Sequence, residues 1–481
     1  MKDLYQLERS TPELQGVKSE AILEFIQEAE KIRTPDMGQD FHSFMLLRHG
    51  YVIAEGWWEP YKSDFSHVLF SLSKSFTSTA IGFAVQEGLL LVEDTVISYF
   101  KEECLNPNPN LSKMRIKHLL SMNTGHIVDT TDFFFQRKDG NWAKAFLEVP
   151  VEKEPGTHFL YNTGATYMLS VILQKITGEK LIDYLQPRLF EPLAISGATW
   201  ETCPRGYNTG GFGLRVKTED IAKFGQLYLS KGKVNGKHLL GEEWIREATI
   251  IHSDNSANGP GDWGQGYGYQ FWRCRHNAYR GDGAFGQYCI VMPEMDAVLA
   301  ITGGMKDLQK PLELVWNKLL PGFMENRLPE SEDYERLKNK LTTLQLLLPE
   351  GRQKSSMESC IQGRNYKMEP NPFRIEEITF SFALDRIRMS ITEDGQKREH
   401  EVGIGHWTMG TYIFEGNPEP VALSGSWEDD TTLILKGYLL QMPFANNYRI
   451  QFSEEELLVE QKLNVGFEQP QPVCMKGHAI H

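Results

Sequence analysis

The 481-residue chain has no excess of positive charge, no long apolar run and no closely spaced cysteine pair. Each absence removes a class of function. Lys and Arg number 50 against 64 Asp and Glu, a net charge of -14. A chain of that sign repels phosphate backbones and anionic lipid headgroups, so neither nucleic acid nor membrane is expected as a partner. The longest apolar runs, Leu89 to Val92 and Leu346 to Leu348, fall far short of the roughly 18 residues of a spanning helix. The opening MKDLYQLERSTPELQG has no apolar stretch after its lysine and is not read as a secretory signal. Cys104, Cys203, Cys274, Cys289, Cys360 and Cys474 form no C-x-x-C, so they read as reduced thiols of a cytoplasmic protein. No sequence repeat of fixed period is present.

Three motif classes are also ruled out. G-x-S-x-G is absent, which argues against an α/β-hydrolase nucleophile elbow. His400-Glu401 with His406 has the wrong spacing for H-E-x-x-H, and Gly403 and Gly405 oppose a helix there, so no metal is assigned. Residues 281–286 spell G-x-G-x-x-G but run into the strand-like QYCIVMP, whereas a dinucleotide site must open a helix. No cofactor is implied.

What is present is a chain able to bury a large core, with 41% hydrophobic and 24% charged residues. At about 150 residues per domain the length suggests about three units. Residues 17–33 have helical spacing of Ile22, Phe25, Ile26 and Ala29. His49-Gly50 between two apolar runs predicts a hairpin, as does Asn235-Gly236. A helix is predicted from about residue 71, with Gly88 as its stop, and another from an N-cap at Thr218. Residues 287–304 read as two strands, followed by a helix presenting Leu308, Leu312, Val315 and Leu319. Strands and helix at both ends with helices between make an α+β pattern, one antiparallel sheet assembled from both ends of the region. Beyond about 326 a charged helix pattern and a polar break at 351–358 lead into short alternating strands, as in EEITFSF, DRIRMSI, VALSGSW, TTLILKGY, NNYRIQF and ELLVEQK. These predict an all-β, barrel-like C-terminal domain. The expected division is 1–325, a helical linker 326–365, and 366–481, with few contacts crossing the boundary.

The residues that suggest chemistry begin with Ser71-Leu72-Ser73-Lys74. A serine and a lysine three apart at a helix start share one face. The helix N-terminus supplies free N–H groups where an oxyanion would form, and a neighbouring amine can assist loss of the hydroxyl proton. A second segment, PGTHFLYNTG (155–164), runs into a helix with Tyr167, Met168, Val171 and Ile172.

With MRIKHLLSMNTGH (114–126), GGFGLRVKTEDIAKFGQL (210–227), GYGYQFW (266–272) and GAFGQYCIVMPEMDAVLAIT (283–302), these motifs resemble the β-lactamase-related serine hydrolases: class C β-lactamases, D-alanyl-D-alanine peptidases and esterases of that fold. The resemblance covers roughly residues 10–322. It implies a β-lactamase-like domain with a helical subdomain and the site between them. It also implies acyl transfer to an ester, amide or peptide substrate of small size, with Ser71 as nucleophile, Lys74 as its partner and Tyr161 as proton shuttle. Thr163, or Asn162 after a one-residue shift, falls where the family's asparagine contacts substrate. Asp282, Gly283 and Ala284 fall at the third motif, with the N–H of Phe285 or its neighbour as oxyanion donor. The family's cation is replaced there by Asp282, which would repel a carboxylate and disfavours penicillin-like substrates. The departures at Thr163 and Asp282 leave one alternative, a catalytically inactive binding protein with this fold.

Overall fold

The computed structural model describes residues 5–33, 38–414 and 416–480. Helix α1 (Ser19–Lys31) precedes strands β1 (Gln39–Arg48) and β2 (Tyr51–Trp57). His49 and Gly50 both have positive φ between them, the twist a two-residue hairpin requires. Helices α2 (Ser73–Gln86), α3 (Thr163–Thr177) and α4 (Thr218–Leu229) follow, then strands β3 (Trp272–Arg273), β4 (Tyr279–Gly283), β5 (Gln287–Met292) and β6 (Ala297–Met305). The sheet order is β2-β1-β6-β5-β4-β3, with every pair antiparallel, so strands from both ends of the region meet at its centre as expected. The period of two divides the core. Met45, Leu47, Val291 and Val298 face the helical side, and Phe44, Leu46, Ile290 and Leu299 face α1 and the helix after β6.

Helix α4 is capped differently from the expectation. Its N-cap is Lys217, whose N–H donates to Asp220 Oδ2 at 3.0 Å, so the carboxylate in the first turn does the capping. Gly88 stands just past α2 with φ 71°, the left-handed stop expected.

Helix α5 (Glu332–Leu341) packs on α1, joined by Lys340 and Glu30 at 2.5 Å. Leu337, Leu344 and Leu346 enter the same core as α1. Ten strands follow: β7 (Asn365–Met368), β8 (Ile375–Phe382), β9 (Arg386–Glu393), β10 (Gln396–Ile404), β11 (Thr408–Phe414), β12 (Asn417–Trp427), β13 (Thr432–Leu439), β14 (Ala445–Phe452), β15 (Glu456–Leu463) and β16 (Val473–Ile480). Nine of them close a barrel in the order β10-β9-β8-β7-β16-β15-β14-β13-β12. A short parallel pairing of Gly403 and Ile404 with Ser424 and Gly425 completes the ring, and β11 lines up outside on β12. Closure leaves no free edge around the ring.

The expectation of few contacts across the boundary fails. The Tyr438 hydroxyl donates to Asp40 at 2.8 Å, the Val68 N–H to the Gln441 carbonyl at 2.9 Å, and Arg215 pairs with buried Glu419 at 2.6 Å. Ala422, Tyr438, Leu440 and Ala445 belong to the core on the sheet's α1 side. The polar break marks where the chain is exposed, not where the packing ends. None of the described helices is long and apolar enough to cross a membrane.

Candidate active site

Ser71 lies in the single turn Phe70–Leu72 that feeds α2. Phe70 has φ 47°, a left-handed conformation that is strained for an aromatic residue. Its ring is held edge-on by Phe285 at 5.3 Å, Phe467 at 6.0 Å and Phe444 at 6.3 Å, contacts that over-determine the turn. Two of these clamping rings come from the barrel chain.

Lys74 is buried. Its ammonium nitrogen donates to Ser71 Oγ at 3.0 Å and to the Gly211 carbonyl at 2.8 Å. Burial lowers its pKa from 10.5 to about 7, against the opposing pull of Asp129 and Asp282. Gly211 has no room for a side chain. A Cβ there would come within 2.8 Å of Thr163 Cγ2, beside the Lys74 nitrogen. The glycine lets its carbonyl reach the lysine.

Tyr161 ends the loop before α3. Its ring stacks on Trp272 at 5.3 Å and lies 5.0 Å from the Lys74 nitrogen. Burial, then the nearby Asp282 charge, holds its phenol pKa far above 10, only partly offset by the Ser71 hydroxyl. The phenol therefore keeps its proton. Ser71, Lys74 and Tyr161, separated by 90 residues of sequence, thus meet at one point.

Thr163 begins α3 and its methyl abuts Gly211. Asn162 is the N-cap and is fully buried. Its Oδ1 accepts from the Gly164 N–H at 3.0 Å, the Thr130 N–H at 3.1 Å and the Thr130 hydroxyl at 2.8 Å. That oxygen is committed to the fold, whereas Asn162 Nδ2 is buried with no partner among the described residues and is left as a donor.

Strand β4 runs directly against the Ser71 turn because its glycines allow it. A Cβ on Gly283 would lie 2.0 Å from the Leu69 carbonyl oxygen, and one on Gly281 2.4 Å from Ser75 Oγ. Ala284 and Phe285 form the turn to β5, with Phe285 at φ 65° and its carbonyl accepting from the Met305 N–H at 2.9 Å. Asp282 is 7% exposed and accepts from Arg280 Nε at 2.7 Å, and Arg280 is itself fully buried over the Trp263 ring at 4.3 Å. Burial raises the Asp282 pKa, against the pull of Arg280 and Lys74. The carboxylate is thus matched by a cation. Arg280 and the Gly211 carbonyl are the site groups that sequence reasoning missed. The signal for Arg280 was present, since residues two apart on a strand share a face.

The β-lactamase family model matches residues 41–306, more than half of the chain, and the protein belongs to that family. Its relatives include hydrolases. The 6-aminohexanoate-dimer hydrolase of Paenarthrobacter ureafaciens is 25% identical over 322 residues, 61% of this chain and 80% of that protein. Among solved structures, EstCE1, a hydrolase with promiscuous acyltransferase activity, superposes with a TM-score of 0.51 at 16% identity, over 62% of this chain and 99% of its own. The octameric penicillin-binding protein homologue from Pyrococcus abyssi superposes with a TM-score of 0.50 at 15% identity, over 95% of this chain and 98% of its own. That fold likeness extends through the barrel.

Proposed function

We propose that the protein is a serine hydrolase that forms an acyl-enzyme on Ser71 with a small ester, amide or peptide. The observation that carries this reading is the buried Lys74 nitrogen, 3.0 Å from Ser71 Oγ with a pKa of about 7. An amine in that state takes the serine proton near neutral pH. Ser71 Oγ then bonds to the substrate carbonyl carbon, and the oxyanion faces the N–H groups of Ser71 and of the Ala284–Phe285 turn. The proton passes from Lys74, with the Tyr161 hydroxyl as relay, to the leaving oxygen or nitrogen, and the bond to the leaving group breaks. Water attacks the acyl-enzyme by the same route, regenerating Ser71. Tyr161 serves as relay rather than base because its phenol stays protonated.

The Arg280 partner makes Asp282 part of a neutral pair, so uncharged esters and amides suit the site. The inactive-binder alternative loses its motivation, since the departures at Thr163 and Asp282 leave the Ser71–Lys74 contact formed. All six cysteines are free, in keeping with a reducing compartment such as the cytoplasm. Treatment with a fluorophosphonate followed by peptide mass spectrometry tests the proposal: the adduct should sit on Ser71. An adduct elsewhere, or none alongside absent esterase turnover, rejects it.

A further inference from the structure

The barrel is filled at one end and hollow at the other. At the filled end Phe380, Ile387, Val402, Trp427, Phe452 and Leu457 pack into a core. Toward the other end, the same inward-facing positions leave a cavity of about 90 Å³. The alternation of each strand grades its wall. On β9 the series runs from Ile387 through Met389 and Ile391 to Glu393, and on β14 from Phe452 through Ile450 and Tyr448 to Asn446. The deep wall is therefore apolar and the rim polar.

The rim carries two kinds of group. Glu393 and Arg398 pair at 2.6 Å, so they cancel as charges. His400, Tyr412 and Tyr448 also line the cavity, with the rings of His400 and Tyr412 6.3 Å apart. His400 is 9% exposed, and burial followed by the Arg398 charge keeps its imidazole neutral. Polar groups at the mouth of an apolar cavity fix the orientation of a bound molecule, which points to an occupant with a hydrogen-bonding head. A water occupies about 30 Å³ of liquid and needs two to four polar partners, which the apolar deep wall does not provide.

We propose that the barrel is a second ligand site, independent of the reading at Ser71, that takes a compact, uncharged molecule of single-ring size with an apolar body and one hydrogen-bonding head. The body fills the Met389–Ile391–Ile450 wall and the head meets His400, Tyr412 and Tyr448. An ionic head gains nothing at a rim whose charges are already paired.

The test titrates 4-fluorophenol, fluorobenzene and 4-fluorobenzoate into the full-length protein, followed by ¹⁹F NMR. 4-Fluorophenol should bind saturably, and fluorobenzene and 4-fluorobenzoate at least about tenfold more weakly, the loss expected of a missing or mismatched hydrogen-bonded head. Met389→Trp, which fills the cavity, should abolish binding while circular dichroism stays unchanged. Tyr448→Phe, which keeps the volume, should weaken 4-fluorophenol several-fold and leave fluorobenzene unaffected. Absence of saturable 4-fluorophenol binding overturns the proposal. So does binding that survives Met389→Trp in a folded protein, or equal binding of all three probes to wild type and Tyr448→Phe.

Discussion

Lys74 makes the sharpest prediction, because one number governs both catalysis and stability. Moving its pKa from 10.5 to about 7 means that burial penalises the protonated form by about 5 kcal/mol. The unfolded chain binds this proton up to about pH 10.5 and the native state only up to about pH 7. Between those limits the unfolded state carries the extra proton, so native stability rises with pH across the window and is lowest, as far as Lys74 is concerned, below 7. Lys74→Met keeps the bulk and removes the titration. Its stability relative to wild type should therefore be greater at pH 6 than at pH 9, by about 2 to 3 kcal/mol. Urea denaturation followed by tryptophan fluorescence at the two pH values measures this double difference. Wild-type kcat/KM for an activated ester should show an acid limb near pH 7, because only the neutral amine accepts the Ser71 proton. Asp282→Asn should move that limb to lower pH, since Asp282 favours the charged lysine. A limb above pH 9, or a Lys74→Met stability difference that ignores pH, would refute the reasoning.

Further outcomes follow from the same geometry. Ser71→Ala should lose fluorophosphonate labelling and lower ester turnover by about 10⁴-fold or more, read by steady-state kinetics. Tyr161→Phe should stay folded and lower kcat strongly, and combining it with Lys74→Met should add little, because groups moving one proton act as a unit. Gly283→Ala places a Cβ 2.0 Å from the Leu69 carbonyl oxygen, with backbone on both sides. It should cost about 1 to 3 kcal/mol in thermal or urea denaturation and impair labelling. A 1–325 fragment loses Leu337, Leu344 and Leu346 from the core beside α1, and it should be insoluble or label poorly compared with the full chain.

Ser71, Lys74 and Tyr161 were legible because a helix start and a short motif carry their information locally. The Gly211 carbonyl was not, because it reaches Lys74 across 137 residues and a backbone oxygen has no residue signature. Asp282 was found but its Arg280 partner was not, because burial and that contact are tertiary facts. Six barrel strands were read from alternating apolar residues. The structure adds β7, β10, β11 and β16. Strand β10 was hidden because KREHEV carries charge on both faces, outward on water and inward at the cavity rim. Hydrophobic alternation marks a strand only where its inward face is apolar.

The barrel was expected as a separate body, and the reason it is not bears on the site. Val68 sits in one apolar cluster with Val421, Leu439 and Met442, and Phe70, Tyr412, Phe414 and Phe444 pack against that cluster. Trp407 instead packs on Tyr438, 5.4 Å away, in the core under the sheet. So Tyr412 and Phe414 flank the residues leading into Ser71, and Trp407 does not. A left-handed Phe70 is unfavourable by about 1 to 3 kcal/mol and persists only when surrounding contacts leave it no alternative. Phe285 supplies one such contact from the hydrolase sheet, and Phe444 and Phe467 supply the others from the barrel side. The backbone that aims Ser71 at Lys74 is therefore braced from both domains. That is why a boundary drawn at a polar, exposed stretch of sequence does not divide the molecule into a catalytic part and an appendage.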